Sequence, residues 1–223
     1  MRKYLLIMLL FGIICTSVLA EEVEQQLKFN LLDAEEYDLS LSISTSIERF
    51  YASLEFKVAA SELKEADYYA FALSKKVYLE RIKVDGMSVP FSYTTDLDPR
   101  HFEPELTQTD LLLPEADVYW VSLSNKVFAG KTEDIRINLE YKMILPPWSL
   151  DENGREQITW NTEDFFYPRN LNNPADLNIT LLTTTFHGVD NADQTMDNGN
   201  LRTIKRKIVD IPGQAAKLVF FKS

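Results

Sequence analysis

Cysteine is almost missing from this chain: Cys15 is the only one in 223 residues. It lies in an N-terminal apolar run, so a chain that loses that run has no thiol left. Disulfides, thiolate catalysis and cysteine zinc sites are then excluded, and stability has to come from burial. Histidine is scarce as well, with only His101 and His187, too far apart in sequence to form a helical metal pair. Positive charge is in deficit, 23 Lys and Arg against 34 Asp and Glu, for a net charge of −11. An acidic chain of this kind does not bind nucleic acid or anionic lipid through its bulk field. Long apolar runs are limited to residues 5–15, too short to span a bilayer comfortably.

That run has the layout of a secretory signal peptide covering residues 1–20. Arg2 and Lys3 form the basic start, Val18, Leu19 and Ala20 the cleavage region, and Glu21 and Glu22 follow. An uncleaved anchor is the rival. A lipoprotein fits less well, because Ile14 is bulky where lipid attachment before Cys15 needs a small residue. Cleavage after Ala20 takes 20 of the 223 residues and leaves 203, enough for one domain or two small ones. It also removes Arg2 and Lys3, which moves the net charge from −11 to −13. The expected location is periplasmic or extracellular, with no membrane insertion after cleavage. Lack of disulfides in an exported chain leans toward a bacterial envelope. The Asn178-Ile179-Thr180 sequon matters only in a eukaryotic setting.

What is present is alternation. Residues 21–36 are charged and weakly patterned, a lead-in that fits either helix or extended chain. From Tyr37, apolar Tyr37, Leu39, Leu41 and Ile43 alternate with polar Asp38, Ser40 and Ser42. Ala52, Leu54, Phe56 and Val58 repeat the pattern after a short turn at residues 45–48. Tyr69, Phe71 and Leu73 continue it. Asp85-Gly86 marks a hairpin whose return strand carries Val89, Phe91 and Tyr93. Residues 96–110 read as a loop, residues 118–123 as a strand. Ile135, Ile137, Leu139, Tyr141 and Met143 form the cleanest strand, stopped by Pro146-Pro147. Residues 190–200 read as turns; residues 201–209 and 217–221 read as the last strands. The prediction is an all-β domain over residues 37–223, an antiparallel sandwich or saddle-shaped sheet of roughly ten short strands.

The most distinctive stretch is residues 157–186. A short strand at residues 157–160 leads to Phe165, Phe166 and Tyr167, then Pro168 and Arg169. A second strand follows, with Leu177, Ile179 and Leu181 on one face and Asp176, Asn178 and Thr180 on the other. Three consecutive aromatics cannot be buried by alternation in one strand. At least one ring should face outward or fill a gap between segments.

The collinear order of these pieces resembles the N-terminal β-domain of aminopeptidase N-like zinc metallopeptidases. The carriers are the strand at residues 37–43, the strand at 51–58, Val84-Asp85-Gly86 with its flanks, the strand at 135–141, Phe166-Tyr167-Pro168-Arg169, and the closing residues 217–221. In that family the resemblance implies catalysis in a following domain, with a Gly-x-Met-Glu-Asn loop and a His-Glu-x-x-His zinc helix. Neither motif occurs in this chain. No catalytic residue, zinc or other cofactor carries over, and the resemblance implies a β-domain that packs beside something else.

Other candidates have plainer readings. His187 reads as a surface or turn histidine, and His101 as part of an acidic loop with Glu103 and Glu105. Asp190, Asp193 and Asp197, with Asn191 and Asn198, do not follow a calcium-loop spacing and read as a solvated turn. Glu163 and Asp164, adjacent on a strand, would point to opposite faces and share no site. The basic residues of 202–207 read as the solvated face of a strand. The expected function is therefore that of an exported, non-catalytic domain contacting an envelope or secreted protein. Trp160, Phe166, Tyr167 and Arg169 are the candidate contact residues. The alternative is a ligand-binding module, possibly for carbohydrate, or a hydrolase with an unrecognised site.

Overall fold

A computed structural model of the chain describes residues 27–44, 49–63, 65–94, 97, 101–102, 118–171 and 173–222. Residues 1–20, read as a signal peptide, the turn read at 45–48 and most of the loop read at 96–110 lie outside the described residues.

The alternating segments form one large sheet. It comprises β2 (Glu36–Ser44), β3 (Arg49–Val58), β5 (Val77–Val84), β6 (Met87–Val89), β9 (Ile135–Ile144), β12 (Ala175–Thr184), β14 (Gln194–Asn198) and β15 (Leu201–Asp210). The order is β14-β15-β12-β2-β3-β9-β5-β6. Two four-stranded sheets complete the fold. One joins β1 (Phe29–Leu31), β4 (Tyr68–Ser74), β8 (Val118–Ser124) and β7 (Ser92–Thr94) in the order β1-β4-β8-β7. The other joins β10 (Ser149–Leu150), β11 (Glu156–Asn161), β16 (Lys217–Lys222) and β13 (His187–Val189) in the order β10-β11-β16-β13. Among the described residues the helical segments are short 3-10 turns.

The all-β expectation holds, with two corrections. The sheets are mixed, because β12 runs parallel to β2 and β1 parallel to β4. Among the described residues sixteen strands form, where roughly ten were read. The lead-in contributes one of them, β1. The segment read as turns at 190–200 contributes β14, which pairs with β15.

The hairpin is also more divided than its sequence suggests. Asp85 and Gly86 both take positive φ, 49° and 81°, as a tight two-residue hairpin requires. The return strand does not run through, however. β6 pairs with β5 in the large sheet, while β7 pairs with β8 in a small one. Pro90 sits at the change of sheet, where it has no N–H to offer either ladder.

The main core forms where both small sheets turn a face toward the large one. Leu39, Leu54, Phe56, Leu139, Tyr141 and Leu177 from the large sheet meet Phe71, Leu123, Trp160 and Phe220 from the small sheets. A second, smaller core of Phe29, Ala70, Ala72, Phe102, Trp120 and Phe165 covers the opposite face of the β1-β4-β8-β7 sheet. β4 is therefore buried on both faces.

Candidate functional site

β11 ends at Asn161, and a 3-10 turn, Thr162–Asp164, follows it. The turn is tied in place by Asp164, whose carboxylate accepts the Asn161 N–H at 2.9 Å. Glu163 and Asp164 thus lie on this turn, not on a strand as read from the sequence.

Phe165 then adopts φ 51° and ψ 40°, a left-handed conformation rare for a bulky residue. Its N–H returns to Thr162 O at 3.3 Å, and its carbonyl accepts Ser74 N–H at 2.9 Å. This reversal resolves the crowding of consecutive aromatics. Phe165 enters the smaller core, while Phe166 and Tyr167 enter the main one. Trp160 lies 4.3 Å from Phe50 and 5.7 Å from Phe166, centroid to centroid.

Past Pro168 the segment is fixed by a buried polar network. The Tyr167 hydroxyl donates to Asp210 Oδ2, and Arg169 Nε reaches the same oxygen at 2.8 Å. Arg169 Nη2 donates to Ile211 O at 2.7 Å and to Gln214 O at 2.9 Å. Asn170 accepts the Tyr37 hydroxyl at 2.5 Å and the Ala34 N–H at 3.1 Å, and donates to Ala34 O at 2.7 Å. Burial, then the bond to Asp210, pushes the Tyr167 phenol well above its ordinary range, so it stays a neutral donor. Burial, followed by the nearby Asp33, does the same to Tyr37.

The structure brings Trp160, Phe166, Tyr167 and Arg169 together, but in the interior. Tyr167 is 0% exposed and Arg169 8%. They fill a gap between segments, and none of the rings forms an outward-facing patch. The reason is the left-handed turn, which supplies a second core for the ring that alternation cannot place.

His187 is likewise buried in β13, contrary to the surface reading. It stacks on Phe220 at 5.5 Å and on Trp148 at 6.1 Å. Its Nδ1 lies 2.9 Å from Thr184 Oγ1 and 3.2 Å from Thr183 Oγ1. Burial, and secondarily Lys222, pushes its pKa below the usual value. Next to it, Gly188 leaves room for the Phe221 ring, whose Cζ would lie 2.3 Å from a Cβ at this position.

The acidic residues near 190–198 are engaged by arginine. Asp190 pairs with Arg155, Asp193 with Arg206 and Asp197 with Arg202. Among the described residues no group of three or more His, Cys, Asp or Glu forms a metal-sized cluster.

The outer face of the large sheet carries cross-strand ion pairs instead of a convergent site. Lys83 and Arg81 both pair with Glu140, Arg136 with Glu55, and Lys142 with Glu80. A shallow groove of about 790 Å³ on this face is lined by Glu55, Lys57, Lys83, Asp85, Arg136 and Glu140. Sequence reading passed over one feature here. Tyr51, Tyr78, Leu182 and Met196 are exposed large side chains on this face. Tyr51 and Leu182 stand in the polar phase of their strands, and that was the available signal.

No family model matches the chain, and no curated protein does. Solved structures match it well. Yeast LTA4 hydrolase in complex with bestatin superposes with a TM-score of 0.56 at 13% identity, over 85% of this chain and 28% of its own. The M1 zinc metallopeptidase from Deinococcus radiodurans gives 0.55 at 13% identity, over 85% of this chain and 42% of its own. The fold is shared with M1 zinc metallopeptidases. It resembles the N-terminal domain of these M1 peptidases, in line with the motif order read from the sequence. The chain spans between about a quarter and two fifths of the M1 chains it matches.

Proposed function

We propose that the chain is an exported, non-catalytic β-domain of the M1 type that acts through contact with an envelope or secreted protein. The fold likeness carries this reading: 85% of this chain follows a scaffold that makes up 28% or 42% of the peptidase chains. What is shared is a scaffold whose role in the resemblance is to pack beside another domain. The state of the most reactive side chains supports it. His187 is wedged between aromatic rings, and Tyr167 and Arg169 both bind Asp210 Oδ2 in the interior. These groups brace the fold from the interior. Export rests on the charged-apolar-small order of residues 1–20.

The test uses the full chain, secreted from a bacterial host and purified. N-terminal sequencing is expected to begin at Glu21. With zinc supplied, the protein should not hydrolyse aminoacyl reporter substrates, and crosslinking in the envelope fraction should give one reproducible partner band. Hydrolysis that scales with protein and vanishes with a chelator would contradict the reading. So would a membrane-bound product that keeps Met1.

A further inference from the structure

β14 is an edge strand of the large sheet, and its five side chains are all exposed. One side pairs with β15, from Gln194↔Lys205 to Asn198↔Leu201. The other side faces no strand among the described residues. Natural sheets blunt such edges with lysine, proline, bulges or very short strands. β14 has no lysine, proline or bulge, its register is regular over five residues, Gln-Thr-Met-Asp-Asn, and its one charge, Asp197, is neutralised by Arg202. Its position is nevertheless well fixed. Asp197 takes Arg202 through contacts of 2.7 and 3.0 Å. Asp193, just before the strand, accepts the Lys207 N–H at 2.5 Å.

An apolar patch on the outer face runs up to this open edge. Met196 lies opposite Thr203, and Thr203 opposite Leu182. Leu201, two positions before Thr203, is on the same face. Met196, Leu182 and Leu201 are 52%, 43% and 51% exposed.

We propose that β14 pairs antiparallel with β14 of a second copy of this chain, about a twofold axis at Met196. The sequence selects this register by charge. Directly opposed residues share a face, so the centre of a symmetric pair falls on a residue. Centred on Thr195, the pair would set Asp197 against Asp193 of the other copy. Centred on Asp197, it would set two Asp197 side chains against each other. Centred on Met196, it sets Gln194 against Asn198, Thr195 against Asp197 and Met196 against itself, with no like charges opposed. The two Met196 side chains then join the apolar patches of both copies into one strip. This pairing does not depend on the partner proposed above.

Size-exclusion chromatography with light scattering on the purified chain at tens of micromolar is expected to show a dimer. Met196→Lys places two ammonium groups face to face and should weaken dimerisation at least tenfold. Its melting temperature, measured dilute enough for both proteins to be monomers, should not change, because the side chain is half exposed. In a Cys15→Ser background, Met196→Cys should form a disulfide-linked dimer under mild oxidation, much faster than Tyr78→Cys at the far side of the sheet. A monomer at every concentration would overturn the proposal. A dimer indifferent to Met196→Lys, or equal crosslinking rates for the two cysteine variants, would also overturn it.

Discussion

Single residues decide where the aromatic segment goes. Phe165 accepts a left-handed backbone, and in return adjacent rings reach separate cores. Arg169 acts as a strut: it binds Asp210 and the carbonyls of Ile211 and Gln214, tying the segment after Pro168 to the turn after β15. Asp210 Oδ1 is buried and has no partner among the described residues, so this carboxylate depends on Arg169 and Tyr167. Arg169→Ala strands that charge in the interior and is expected to cost about 3–5 kcal/mol in denaturant unfolding. His187 predicts a pH effect. Its pKa is lowered in the fold from an ordinary value of 6.5, first by burial and then by Lys222. Its contribution is complete above that value. As pH falls, the unfolded chain takes up a proton that the folded chain resists, so stability declines until the folded imidazole itself titrates. His187→Gln should flatten the fall of the melting temperature as pH drops below about 6.5 relative to the parent.

At the scale of elements, the large sheet needs little beyond alternation. β2, β3, β9 and β12 place one face in the core because their apolar residues recur every second position, and all four were legible in the sequence. Asp85-Gly86 was legible for a different reason, since few dipeptides suit two positive φ values in succession. A Cβ at Gly86 meets nothing within 4 Å, so Gly86→Ala isolates the cost of a left-handed backbone, about 1–2 kcal/mol by chemical denaturation. Elsewhere alternation misled. β4 reads as one-sided through Tyr69, Phe71 and Leu73, yet Ala70 and Ala72 between them are also buried. The apolar run at residues 68–73 was the sign of a strand covered on both faces. β14 lacked any sign, because a strand with no buried side chain has no hydrophobic period. The parallel pairing of β12 with β2 joins segments more than a hundred residues apart, which local patterns do not encode. The candidate site was found as a cluster and misplaced as a surface, since the left-handed turn at Phe165 has no sequence signature.

The molecule as a whole is two cores on either side of one small sheet, with a second small sheet closing the main core. Residues 160–170 are where the parts meet. Trp160 and Phe166 fill the main core, Phe165 the smaller one, and Tyr167, Arg169 and Asn170 bind segments before β2 and after β15. With Cys15 the only cysteine in the chain, this joint does work that crosslinks do in many exported domains. The same arrangement makes the likeness to M1 metallopeptidases one of scaffold, with any partner surface on the outside. The most direct test is equilibrium denaturation of Tyr167→Ala beside Leu139→Ala, a substitution of a fully buried residue in the middle of β9. If the aromatic segment is the joint of the fold, both variants lose about 3 kcal/mol or more, with Tyr167→Ala at least as severe. A Tyr167→Ala protein as stable as the parent, while Leu139→Ala is crippled, would contradict the account and return residues 160–169 to the surface.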